Sequence, residues 1–141
     1  MGDRCYLYVT VEKDRAKEFC VIVFGCETGP EDEGEFHVSY EVSDVNWDAF
    51  EERREAAEAG VLFYGYHGAG GEYGPRAFCG GDGQLSEVET GTDGRFVLYA
   101  DVDGDISPAA QDSLKHFIRV YKSVKERIHN PLYALSHSPC T

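Results

Sequence analysis

The sequence predicts an α+β fold: a mainly antiparallel sheet with a long C-terminal helix at about 107–128 and a second, acidic helix at about 44–59. Three observations carry this. Residues 36–42 alternate, so Phe36, Val38, Tyr40 and Val42 share one face of an extended chain. Residues 5–11 and 61–66 are rich in β-branched and aromatic side chains, which suit strands. Leu114, Phe117, Ile118, Tyr121, Val124 and Ile128 form one apolar stripe at helical spacing.

The elements follow in order. Residues 5–11 are the first strand. The unbroken apolar run 19–24, ended by Gly25, is expected to be a central strand covered on both faces. Residues 29–34 form an acidic turn, and 36–42 a third strand in a meander with the first two. Ser43, Asp44 and Asn46 offer N-caps for the acidic helix, which Gly60 stops. Its inward stripe is expected to be Trp47, Phe50, Ala57 and the stem of Arg54. A strand at 61–66 comes next, and 85–89 is a candidate short strand. Asp93-Gly94 marks a hairpin leading into a strand at 95–101. Ser107-Pro108 opens the last helix as an N-cap with proline at the first helical position. That helix is expected to cross the sheet with Leu114, Phe117, Ile118 and Tyr121 inward. The whole chain, 1–141, reads as a single domain with a loose tail at 131–141.

Charge is the most unusual feature. The 141 residues hold 26 acids and 13 Lys or Arg, a net charge of −13. Residues 1–105 carry 24 of the acids and 8 of the bases, whereas 106–141 carry 2 and 5. The densest block, 27–58, holds 12 acids against Arg53 and Arg54. Such a field repels nucleic acid and anionic membranes and attracts basic partners. It also keeps a protein soluble.

Five cysteines occur without a C-x-x-C pair, and no apolar stretch of signal or membrane-spanning length is present. The expectation is a cytoplasmic protein with reduced thiols and no disulfide. Cys79 with His67 or His37 is the one conceivable thiol–imidazole pair, too little to assign catalysis. The five histidines are scattered, and 101–107 only begins like a calcium loop: the sixth and twelfth positions are Ile106 and Asp112, not Gly and Glu. No metal site, cofactor or enzymatic activity is therefore expected.

Eight of the 19 residues from 65 to 83 are glycine. Gly68-x-Gly70 follows a strand, but a dinucleotide fingerprint needs a third glycine where Tyr73 stands, and no Gly-Lys-Ser/Thr follows. The segment reads as a surface loop. As a ligand loop it would use Tyr66, His67, Tyr73 and Arg76.

Two functions from different classes follow. In the first, Glu31, Asp32, Glu33, Glu35, Asp48, Glu51, Glu52, Glu55 and Glu58 form one acidic face. That face docks on a basic, nucleic-acid-binding surface of another protein and imitates its phosphates. The chain resembles in character, though by no motif, the small acidic domains among phage anti-CRISPR and anti-restriction proteins. That resemblance implies a DNA-mimicking inhibitor acting in a host cytoplasm, binding neither nucleic acid nor membrane. In the second, the Gly/Tyr-rich loop 65–83 is a small-molecule pocket, with or without chemistry.

Overall fold

The computed structural model describes residues 4–46, 49–69 and 74–131. Strand β1 (Arg4–Glu12) leads through a single 3-10 turn into helix α1 (Ala16–Phe24). A two-residue strand β2 (Asp32–Glu33) and a long strand β3 (His37–Asn46) follow. Helix α2 (Phe50–Glu58) precedes β4 (Phe63–His67), β5 (Arg76–Gly81) and β6 (Gln84–Glu89), and α3 (Pro108–His129) ends the fold. The strands make one sheet in the order β2-β3-β1-β4-β5-β6, with every neighbouring pair antiparallel. The fold is therefore α+β with a long C-terminal helix, as the sequence patterns indicate.

Alternation along the strands divides the sheet into two faces. Leu7, Val9, Val11, Val38, Tyr40, Phe63 and Phe78 point to the side covered by α1 and α2, where they meet Phe19, Cys20, Val23, Ala56 and Ala57. Ala77 and Cys79 point to the other side, where α3 buries Phe117, Val124 and Ile128. Leu114, Ile118 and Tyr121 are half-buried on that same helix. Ser107 caps α3 by accepting a hydrogen bond from the Ala110 N–H, with proline at the first turn.

Three expectations are corrected. Residues 19–24 are helix, not a central strand. Ala16, Phe19, Cys20 and Val23 are buried at helical spacing while Val21 is 58% exposed, and Gly25 closes the helix at φ 77°. A short apolar run cannot distinguish strand from helix; here Ala16, just upstream, completes a helical stripe. Residues 95–101 are not a strand. The segment leaves the edge of β6 after the bridge Thr90–Phe96 and the bond from the Val97 N–H to the Glu89 carbonyl, and Leu98, Tyr99 and Ala100 are exposed. The missing strand is β5, drawn from the glycine-rich segment read as a loop. Gly80 sits where a Cβ would lie 2.3 Å from the Phe63 ring, so its hydrogen makes room for the core.

The acidic helix is also shorter than expected. Residues 44–46 still belong to β3, Trp47 and Asp48 lie outside the described residues, and α2 starts at Phe50 after Ala49 at φ 55°. Its inward residues are Arg53, Ala56 and Ala57; Arg54 faces out with half of its side chain exposed. The tail beyond 131 lies outside the described residues.

Candidate functional site

The acidic residues do not form one face. Glu31, Asp32, Glu33 and Glu35 are exposed at the β2 edge. There Asp32 pairs with the His37 ring at 3.0 Å and Glu33 with Lys13 at 3.3 Å. Glu51, Glu52, Glu55 and Glu58 are exposed on α2, which packs over β5 and β6. Five strand spacings of about 4.8 Å separate β2 from β6, or about 24 Å across the sheet. Sequence proximity joined them; the strand order, with β1 inserted between β3 and β4, separates them.

Helix α2 carries its carboxylates outward because its inner side is pinned by a cation. Arg53 is fully buried, donates to Glu87 Oε1 at 3.3 Å and lies over the Phe78 ring at 4.3 Å. Glu87 also has His67 Nε2 at 3.6 Å and Arg76 Nη1 at 3.9 Å from its other oxygen. Burial opposes the ionisation of Glu87. The nearby His67 ring and the charges of Arg53 and Arg76 outweigh it, so the carboxyl is held below its usual range. His67 Nδ1 in turn lies 2.9 Å from the Gly68 carbonyl, to which it donates when protonated there. This cluster was missed in the sequence. Its one signal is the pair Ala56 and Ala57, small residues three and four positions after Arg53, which mark the inward side of the helix.

The proposed ligand-loop residues are dispersed. His67 is buried in the cluster just described. Arg76 lies on the same face and lines a cavity of about 370 Å³ with Phe50, Arg54, Glu58, Leu85 and Glu87. Tyr66 points to the opposite face and is 41% exposed. Tyr73 lies outside the described residues.

No thiol–imidazole pair forms from the suggested residues. Cys79 shares a face with Tyr64, whereas His67 points to the other side of the sheet. His37 is on β3, three strands from Cys79, or about 14 Å. Burial pushes the Cys79 thiol up to about 12. Cys20, Cys26 and Cys79 are free thiols.

The acidic turn at 101–105 folds on itself. Asp101 Oδ1 accepts from the backbone N–H groups of Asp103 at 2.9 Å and Asp105 at 3.0 Å, an Asx turn rather than a cation cradle. Among the described residues no three His, Cys, Asp or Glu side chains are grouped to hold a metal ion. Among them also, no helix is long and apolar enough to cross a membrane.

The segment 90–107 is the most unusual part of the surface. Eight large hydrophobic residues stand exposed among the described ones, and five of them lie here: Phe96, Leu98, Tyr99, Val102 and Ile106. Glu89, Asp93, Asp101, Asp103 and Asp105 are interleaved with them, all exposed. Clustered apolar surface of this kind marks a contact site more often than scattered singles do. The segment continues from β6 and packs Phe96 against Phe117 of α3, on the face of the sheet opposite α2. The helix it packs against carries the other sign: α3 shows exposed Lys115, Arg119, Lys122 and Lys125. No protein-family model, curated protein or solved structure matches this chain.

Proposed function

We propose that this chain is an acidic binding protein that occupies a basic, nucleic-acid-binding surface of another protein, as a phage-type anti-CRISPR or anti-restriction inhibitor would. The observation that carries the reading is the outward side of α2, where Glu51, Glu52, Glu55 and Glu58 are all exposed. From the first to the last they cover about 10.5 Å of helix axis. Four phosphates of one DNA strand, spaced at about 3.4 Å, cover about the same length. The helix is held by Arg53, Ala56 and Ala57 on its inner side, so its position does not depend on the outward carboxylates. The exposed apolar residues at 96–106 on the same sheet edge favour a protein as the occupant, since a purely electrostatic partner has no use for them.

The test is a pulldown from a bacterial host lysate with the full chain, eluted by rising salt. The captured protein is then given labelled DNA, and the chain is added as competitor. Displacement of the DNA, weakening with salt, is the expected result. A captured protein that binds DNA equally well with the chain present defeats the reading.

The alternative of a small-molecule site rests on the cavity beside Arg76 and Glu87, whose volume lies within the usual range for ligand pockets. A thermal-shift screen of nucleotides and metabolites favours it if one ligand raises the melting temperature and Arg76→Ala abolishes the shift.

A further inference from the structure

A slot opens between the sheet, α3 and the turn that follows β6. It measures about 390 Å³ and is lined by Tyr66, Thr90, Thr92, Asp93, Phe96 and Tyr121. Three aromatic rings and one carboxylate therefore face a common space, and no lysine or arginine lines it. Tyr66 and Phe96 are 41% and 38% exposed, more open than rings that serve only to pack. Phe96 is braced edge-on against Phe117, and Phe117 against Tyr121, so the walls are held by α3.

We propose that this slot takes an arginine side chain of the basic partner protein. The inference rests on the acidic-binder reading and names the residue that the partner inserts. Ring faces attract cations, and the planar guanidinium stacks on them better than an ammonium does. The molecule already uses this chemistry internally, where Arg53 lies over Phe78 and Lys125 stands 5.6 Å from the Tyr121 ring. Asp93 supplies the anion for a forked pair. Its present partner is Arg95, at 3.5 Å, whose side chain is 87% exposed and so easily displaced. Thr90 is 6% exposed, and its hydroxyl has no hydrogen-bond partner among the described residues. A guanidinium N–H would satisfy it. The occupant belongs to a protein, because the chain runs on from Phe96 into the exposed Leu98 and Tyr99, which a free small cation would leave uncovered. A nucleobase is disfavoured, since its phosphates would meet a net charge of −13.

Fluorescently labelled hexa-arginine and hexa-lysine peptides, titrated into the full chain at low salt, test the proposal. Hexa-arginine is expected to bind about tenfold more tightly than hexa-lysine. Tyr66→Ala, Phe96→Ala and Asp93→Asn should each erase that ratio by weakening the arginine peptide alone. Asp93→Asn keeps the shape of an exposed side chain, so it remains informative if an aromatic deletion disturbs the fold. Equal affinity for the two peptides in the unmodified chain overturns the slot and leaves the acidic-binder reading standing. So does a ratio that survives both Phe96→Ala and Asp93→Asn. Failure of both peptides to bind overturns the two together.

Discussion

Arg53 and Glu87 form an ion pair of 3.3 Å beneath α2, with the arginine wholly out of solvent and the glutamate side chain 10% exposed. A buried pair of this kind is weak support for stability as a pair but costly to break, because the survivor is left charged in a dry site. Arg53→Ala is expected to cost about 3–5 kcal/mol, read from urea unfolding. Arg53→Met combined with Glu87→Gln should recover part of that loss, since neither charge is then stranded. If the single change costs under about 1 kcal/mol, the pair does not pin α2.

Acid should weaken the same site. Glu87 is held below its usual carboxyl range when folded, so its contribution to stability is complete above the unfolded value of about 4.3. It is lost as pH falls through the lower folded value. Melting temperatures at descending pH should therefore drop below about pH 4, and Glu87→Gln should flatten the part of that drop due to this residue.

A second acid-sensitive contact joins α3 to the sheet. His129 Nε2 lies 2.5 Å from the Tyr64 hydroxyl, and the His129 ring lies 4.8 Å from that of His37, tilted by 60°. Burial lowers the His129 value, and the neighbouring His37 and Lys125 lower it further. A histidine depressed in the folded state binds fewer protons folded than unfolded. Its stabilising contribution is thus complete above the unfolded value of about 6.5 and is lost as pH falls through the folded value. Stability should decline from pH 7 toward pH 5, and His129→Gln should remove that decline. Tyr64→Phe should cost about 1 kcal/mol at neutral pH. A melting curve identical at pH 7 and pH 5 would show that the contact does not matter.

How far the sequence could be read depended on where the signal resided. The strand at 36–42 and the helix from Ser107-Pro108 were legible because their periodicity or caps are local. The run 19–24 was not, because six apolar residues satisfy strand and helix alike, and only the burial of Ala16 and Phe19 together settles the period. The glycines of β4 and β5 misled in another way. Gly65 sits where a Cβ would meet the Tyr8 carbonyl at 2.0 Å, so it is there for strand approach, which composition cannot separate from loop flexibility. The acidic residues at 31–35 and 51–58 are exposed, as read. Their division between two sheet edges is a matter of strand order, which no local pattern encodes.

Gly65→Ala should cost about 2 kcal/mol or more, because the obstruction is backbone and cannot rotate away. Gly74→Ala meets nothing within 4 Å and should be neutral or slightly stabilising. Equal tolerance at the two positions, measured by chemical denaturation, would return the segment to the status of a loop.

The division of the acidic surface makes the docking reading testable by halves. Reversing Glu51, Glu55 and Glu58 to Lys changes the net charge by +6 on α2. Reversing Glu31, Asp32 and Glu33 makes the same change at the β2 edge, about 24 Å away across the sheet. Both sets are exposed, so folding should survive each, as circular dichroism would show. The α2 triple is expected to slow association with the captured partner by about 10- to 1,000-fold at low salt, with a smaller effect on dissociation. The β2 triple should slow it far less, because that edge is remote from α2 and from the apolar segment 96–106. Equal losses would mean that only net charge is sensed and neither edge is a docking site. A loss confined to the β2 triple would move the site to the other edge of the sheet. If neither triple slows binding, the carboxylates are solubilising, and the cavity beside Arg76 and Glu87 becomes the better place to look for a ligand.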